Sequence, residues 1–277
     1  MPSAHEPVQS LQRVAAAVEY DGSGYCGWQR QLHCTGVQEL VESALSKVAA
    51  EPVRVVCAGR TDTGVHATNQ IIHFDTLARR TSRSWILGAN AHLPAGIRLH
   101  WAEAMTPSFH ARFSATARTY RYLVCNQPYR PAVMARFMAW ERAQLSIEPM
   151  MEAALHLLGE QDFSSFRGAG CQSKSPNRHV ESIDLCRRGA VLVVEIRANA
   201  FLLHMVRNIV GALLAVGRGE RPAHWIPELL ALRDRSRAAP TASAAGLYLV
   251  SVRYPQEFAV PAFASGPPLL DLGVGRG

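Results

Sequence analysis

Gly59-Arg60-Thr61-Asp62-Thr63-Gly64-Val65-His66-Ala67 follows a short apolar run, residues 53–58, that reads as a buried strand. Glycines flank an Arg-Thr-Asp triplet, and glycine admits positive φ and close approach of a second backbone. Asp62 is therefore expected on a tight loop at a strand end, where catalytic groups tend to lie on a rigid scaffold. An arginine two residues earlier favours the ionised carboxylate even when it is desolvated. A buried carboxylate nucleophile or base requires that combination. Taken alone, Asp62-Thr63-Gly64 also suits a plain Asx turn.

Outward from this loop, the chain reads as two halves with one order of elements. In the first half, strands are predicted at residues 13–20, 53–58, 68–74 and 97–104. Helical spacing runs over residues 36–50, through Val37, Leu40, Val41, Leu45 and Val48, and over residues 82–91 with Thr81 as cap. In the second half, strands are predicted at residues 118–126, 180–186, 191–198 and 247–252. The middle two form a hairpin turned at Arg187-Arg188-Gly189. Helices are predicted at residues 147–159, with Ser146 at the cap, at 203–216 and at 225–232. The order β-α-β-β-α-β, met twice, is the split-βαβ pattern. The expected fold class is α+β: two such ferredoxin-like lobes, residues 12–106 and 107–255, sharing one mixed, largely antiparallel sheet with helices packed on it. Residues 256–277 read as an irregular Gly/Pro-rich tail, expected to pack as an arm or to fray, and residues 161–177 as a long loop of the functional or mobile kind.

The 277 residues suffice for one large domain or two ordinary ones, and 48% hydrophobic against 18% charged residues supports a substantial core. A formal charge of +7 suits a partner with a phosphate backbone, although a solvated basic surface would give the same balance. Six cysteines without C-x-x-C spacing read as free thiols in a reducing compartment. Eleven histidines without an H-E-x-x-H pattern imply no metal. Residues 1–11 resemble neither a signal peptide nor an anchor, and no apolar run is long enough to span a bilayer. A soluble, cytoplasmic protein is expected.

Two further stretches bear on chemistry. In Thr119-Tyr120-Arg121-Tyr122, the tyrosines share a strand face, which suits packing as well as stacking on an extruded base. In His204-Met205-Val206-Arg207-Asn208-Ile209-Val210-Gly211, the apolar residues form helical core stripes. Arg207 falls in the first turn, where the helix dipole disfavours a cation, so a carboxylate partner or a solvent-facing position is expected. Arg80 lies in a basic cluster with Arg79 and Arg83. Phe109-His110-Ala111-Arg112-Phe113 interleaves aromatics with a cation, and Lys174 and Arg178 lie in or beside the long loop. Arginine and lysine at such places hold phosphates without reading sequence. The glycine-rich residues 20–29 lack the Gly-Lys-Ser/Thr of a P-loop.

Residues 59–67, 117–122 and 204–211, taken together and in this order, resemble the three motifs of the tRNA pseudouridine synthase A family, and the likeness runs from about residue 14 to 254. The resemblance implies the pseudouridine synthase fold. It implies isomerisation of uridine to pseudouridine on the 3′ side of the anticodon loop and adjoining stem of tRNA, without a cofactor, by a homodimer. Asp62 is then the catalytic residue, and Arg207 pairs with it. Tyr120 lies against the uracil and is a candidate for proton transfer at C5. Arg60 displaces the target nucleotide, and Leu247 lines the uracil pocket. Residues 109–113 and Gly170, Cys171, Gln172, Ser173 and Lys174 contact tRNA. Two other classes fit parts of the sequence. Asp-Thr-Gly is the tripeptide of aspartic proteases, but those need two such carboxylates and only one occurs here. A non-catalytic RNA-binding module would suit two split-βαβ lobes and basic charge equally well.

Overall fold

The first strand, β1 (Gln12–Tyr20), is apolar on both faces because both faces of its sheet are covered. Val14, Ala16, Val18 and Tyr20 pack under helices, while Ala15 and Ala17 join Ile71 and Phe109 on the opposite side. The computed structural model describes residues 10–264 and 266–268. After β1 come α1 (Val37–Ala49), β2 (Val56–Cys57), β3 (His66–Thr76), α2 (Ser82–His92) and β4 (Ile97–Met105). The chain continues through β5 (Ala117–Asn126), β6 (Ala139–Glu141), α3 (Ile147–Leu155), β7 (Gly159–Asp162), β8 (Asn177–Arg188) and β9 (Val191–Ala198). It closes with α4 (Met205–Gly217), α5 (Trp225–Leu232) and β10 (Leu247–Arg253).

One mixed sheet runs β4-β1-β3-β10-β5-β9-β8-β7, with β2 also on β3 and β6 on β5. In both β-α-β-β-α-β sets the strands lie fourth, first, third, second: β4-β1-β3-β2 and β10-β5-β9-β8. The α+β split-βαβ reading therefore describes the architecture. The sets join where β10 pairs in parallel with β3, Tyr248 opposite His66 and Leu249 opposite Ala67. Short β2 pairs with the same strand farther along, at Ile72 and His73. The loop between β2 and β3 thus emerges at the centre of the sheet, beside the seam.

Several expected elements differ in extent. The strand expected at residues 53–58 shrinks to β2 because α1 captures its donors: Val53 N–H donates to Ser46 Oγ and Val55 N–H to Glu42 Oε1. The helix expected at residues 147–159 stops at Leu155, and the chain turns into β7, which takes up part of the expected long loop. Ser146 stands at the cap position but makes no side-chain cap bond, whereas Thr81 accepts from Ser84 N–H as expected of a cap. β6 has no counterpart in the sequence reading.

The cysteine reading needs a correction, and the start of the tail takes the packed form. Cys26 and Cys34 form a disulfide, Cα atoms 6.1 Å apart, because the chain folds back on itself here: Cys26 N–H donates to Thr35 O. Cys57, Cys125, Cys171 and Cys186 are free. Residues 256–264 do not fray. Phe258, Val260 and Phe263 cover the sheet face formed by Ala15, Ala17 and Ile71, and Asn69 Nδ2 donates to the carbonyls of Val250 and Ala264. The rest of the expected tail lies outside the described residues, apart from residues 266–268.

Candidate active site

Residues 58–65 cross the end of the seam between β3 and β10, and the backbone before Asp62 is fixed by other elements at Ala58, Gly59 and Thr61. Gly59 and the side-chain amide of Gln70 exchange hydrogen bonds in both directions. Tyr20 Oη and Thr61 Oγ1 share a bond of 2.8 Å inside the core, and Trp28 N–H donates to Thr61 O at 3.0 Å. Val65 N–H closes a turn on Asp62 O. Gly27, at φ +83°, lies so close beneath that a β-carbon there would stand 2.6 Å from Thr61 O. The glycine is required by both the backbone angle and the approach.

Asp62 projects from this frame into a cleft of about 970 Å³. Its Oδ2 lies 3.5 Å from Arg207 Nη1 and 3.4 Å from His204 Nε2. Arg207 is the single residue of α4 that is not buried. Its guanidinium is fixed from behind, Nε donating to Ala242 O at 2.8 Å. The helix start is set by buried Asn208, which donates to Phe166 O and accepts from Arg235 and Thr241. Of the two positions open to Arg207, the structure takes the carboxylate.

The rest of the lining has one electrostatic character. Arg60, Arg112, Arg118, Arg178 and Arg207 all face the cleft, and Asp62 is the only carboxylate that does so among the described residues. Such a concentration of cations in a concave, partly desolvated space draws a polyanion. It also counts against the protease reading, since among the described residues no second carboxylate lines the cleft to share a proton with Asp62.

Tyr120 and Leu247 lie in the same cleft, on the paired neighbouring strands β5 and β10. Tyr120 is buried, with Phe201 edge-on to its ring at 5.0 Å. Burial first, and then the charge of Asp62, push its hydroxyl well above the usual tyrosine range. At neutral pH Tyr120 is therefore a protonated ring and a poor base. Tyr122, two residues on, is core, its hydroxyl spent on Ser243 O. Beneath the loop, burial pushes the Cys57 thiol up to about 12, so it stays an inert thiol.

The expected RNA-contacting residues divide. Arg60, Arg112, Gly170, Cys171, Gln172 and Ser173 reach the cleft. Lys174 is exposed outside the lining. Phe113 stands 76% exposed, stacked on His110 and under the Arg112 guanidinium, which leaves an aromatic–cation knob at the surface. Phe109 is corrected: it is fully buried against Tyr254 and Phe258 on the far side of the sheet and cannot touch a ligand. Arg80 lies away from the cleft, bonded to Val48 O.

Arg178, expected to hold phosphate, also reaches the cleft, whereas Arg118 and His204 were given no role at this site by the sequence reading. Arg118 is 9% exposed, and its guanidinium is satisfied only by the carbonyls of Ala58, Arg112, Ala115 and Asn199. Burial lowers its pKa, yet it remains a cation without a carboxylate partner. Strand parity was the available signal, since residues 118, 120 and 122 share one face.

A family model described as tRNA pseudouridine synthase matches residues 16–114 and 153–255. A protein named tRNA pseudouridine synthase A from Shewanella woodyi is 55% identical over 255 residues, covering 92% of this chain and 98% of that one. One of the same name from Vibrio cholerae serotype O1 is 53% identical over 258 residues, covering 93% of this chain and 98% of that one. Among solved structures, a Cbf5-Nop10-Gar1 complex aligns with 85% of this chain and 48% of its own at TM-score 0.38 and 9% identity, too distant to carry an argument. Matches of this extent span both strand sets and every segment that lines the Asp62 cleft, and they show that the chain belongs to the tRNA pseudouridine synthase family.

Proposed function

We propose that this chain isomerises uridine to pseudouridine in tRNA, with Asp62 as the reacting carboxylate. The observation that carries the reading is a single carboxylate facing a cleft lined by five arginines, with the preceding residues Gly59 and Thr61 fixed by Gln70, Trp28 and Tyr20. The reaction breaks the N1–C1′ bond, turns the uracil and joins C5 to C1′; the C5 proton leaves and N1 regains one. An ionised Asp62 serves either to attack C1′ or to remove the C2′ proton, and Arg207 stands beside it as the counter-charge. The target base must leave its stack to reach the cleft, at a cost of a few kcal/mol. Arg60, exposed and facing the cleft, has the planar cation suited to fill the vacated space. Tyr120 and Leu247 sandwich the uracil, and the raised Tyr120 pKa favours stacking over service as a base. Arg112, Arg178 and the 170–174 loop hold the phosphates.

The finer assignments belong to the same proposal. The target lies on the 3′ side of the anticodon loop and stem, where unstacking is cheapest. The chain acts as a homodimer in the cytoplasm, and its lobes divide near residue 107. Among the described residues no helix is long and apolar enough to cross a membrane.

The test is tritium release from C5-labelled uridine in an unmodified tRNA transcript, with Asp62→Ala beside the wild type. Release by wild type alone, with tRNA binding retained in the variant, is expected. Equal release by both would remove Asp62 from the reaction. Binding without release by either would favour the non-catalytic RNA-binding module.

A further inference from the structure

Asp62 is held through one oxygen only. Oδ2 faces both Arg207 Nη1 and His204 Nε2, whereas Oδ1 accepts no hydrogen bond among the described residues. A carboxylate held at a single point keeps a broad χ2 torsion, so its plane and its free oxygen wander. A second donor on the same oxygen, from a different residue, removes that freedom and leaves Oδ1 as the exposed lone-pair donor. Arg207 Nη1 meets Oδ2 at the outer limit of a hydrogen bond, and His204 Nε2 stands 3.4 Å away without forming one, as catalytic contacts often do before substrate excludes water.

The backbone around His204 is shaped to deliver this contact. His204 sits at the N-cap of α4 with φ 59° and ψ 4°, the left-handed region, and makes no side-chain cap bond. A residue with a β-carbon there is strained, and such strain persists only where the surroundings impose it. Its flanks are fixed: Met205 N–H donates to Leu202 O, and Asn208 N–H to His204 O. The ring rests on Gly168, where a β-carbon would stand 3.0 Å from both His204 Nδ1 and Leu203 O. The glycine is itself tied there, donating to Leu203 O at 2.7 Å. A left-handed histidine, seated on a glycine and spending its side chain on neither its own helix nor the core, is directed at Asp62.

We propose that His204 is a positioning residue for the reaction: together with Arg207 it holds Oδ2 and presents Oδ1 to the sugar. This rests on the reading of Asp62 as the reacting carboxylate. His204 needs no proton exchange with the substrate in this role, only an Nε2–H that closes on Oδ2 from 3.4 Å when substrate fills the cleft. The substitution His204→Gln supplies an N–H of similar reach that does not titrate. His204→Ala keeps the left-handed strain without a donor, and His204→Gly removes both strain and donor.

The experiment is steady-state turnover of an unmodified tRNA transcript by wild type, His204→Ala, His204→Gln and His204→Gly, with thermal melting to compare folding. His204→Ala is expected to lower kcat about tenfold with KM nearly unchanged. His204→Gln should recover most of that loss, and His204→Gly should stay as slow as His204→Ala. Wild-type kcat in His204→Ala, or recovery in His204→Gly, would overturn the proposal, the latter by assigning the loss to backbone strain. Failure of His204→Gln to recover would also overturn it, in favour of proton transfer by the imidazole. Asp62→Ala turning over as fast as wild type would instead sink the underlying reading of Asp62.

Discussion

The loop that carries Asp62 and the segments that face it across the cleft use similar materials, but they are anchored differently. Residues 59–61 are gripped from the core: Tyr20 holds the Thr61 hydroxyl, Trp28 N–H the Thr61 carbonyl and Gln70 the Gly59 peptide. The 26–34 segment beneath is closed in turn by the Cys26–Cys34 bond. Residues 168–178 are held largely by two arginines reaching to loop oxygens. Arg167 donates to the carbonyls of Cys171 and Ser173, and Arg178 to Ser173 Oγ and the carbonyls of Ser175 and Asn177. Arg178 Nε is left buried without a partner. Residues 107–113 are tied by Arg13, which donates to Pro107 O and Phe109 O, and by His73, which accepts from Ala111 N–H. Bond-breaking chemistry requires placement to a fraction of an ångström, and a phosphate grip does not. The division of anchors follows that division of labour.

The largest expected effect tests the rigid side. Gly27→Ala must either move its own turn or push Thr61 O, since the new β-carbon would stand 2.6 Å from that oxygen at φ +83°. The residue next to Thr61 is Asp62, so a displacement passes directly to the carboxylate. A fall in kcat of about a hundredfold is expected, with tRNA affinity changed little. Single-turnover kinetics beside filter binding measures both. A kcat within a few-fold of wild type would show that the Asp62 loop tolerates movement and that the contrast between the two sides is overdrawn.

On the opposite side the sign of the split reverses. Arg178→Ala releases Ser173 and two carbonyls and removes a cation from the cleft without touching the Asp62 frame. A rise in KM for tRNA of about fivefold, with kcat nearly constant and a shallower salt dependence, is expected. Titrating rate against tRNA at two salt concentrations decides it. A loss confined to kcat would mean that this loop reaches into the chemistry.

The fold was legible where local pattern and tertiary role agree. The strand–helix order, the Thr81 cap and the Asp62 loop all lie in apolar periodicity and turn residues. What escaped depends on partners distant in sequence. β2 is short because Ser46 and Glu42, seven and thirteen residues upstream of Val53 and Val55, take the donors there. Phe109 looked like a ligand-facing aromatic beside a cation, but it packs beneath Tyr254 and Phe258, nearly 150 residues away in sequence. The buried cation of Arg118 is satisfied by carbonyls from four separate positions, which no spacing encodes. The Cys26–Cys34 bond arises from a backbone reversal, not a cysteine motif. At the candidate site, charge and residue type pointed to Asp62 and Arg207, whereas His204 emerges only from its backbone angle and its distance to Asp62.

Acid probes the softer side through His73. Burial first, and then the positive fields of His110 and Arg13, lower this imidazole from 6.5 to about 4, against a raising influence from Asp75. The neutral ring is the form that accepts from Ala111 N–H, so protonation at Nδ1 removes the acceptor that ties residues 107–113 to β3. Because the folded pKa lies below the unfolded one, the stabilisation is complete above pH 6.5 and is lost as pH falls toward about 4. Asp75, held below its ordinary 3.8 chiefly by its hydrogen bond from Arg13, loses its contribution only at lower pH, so the two windows separate. His66 and His110 shift in the same direction as His73 and share its window. His73→Gln keeps an acceptor that does not titrate in this range. Urea unfolding between pH 7 and pH 4 should therefore show a shallower decline for the variant, by about 1 kcal/mol once solvent reaching the ring is allowed for. Parallel curves for the two proteins would mean that His73 is not the acid-sensitive tie. A variant curve that is flat throughout would make His73 the whole of it, with no share left to His66 and His110.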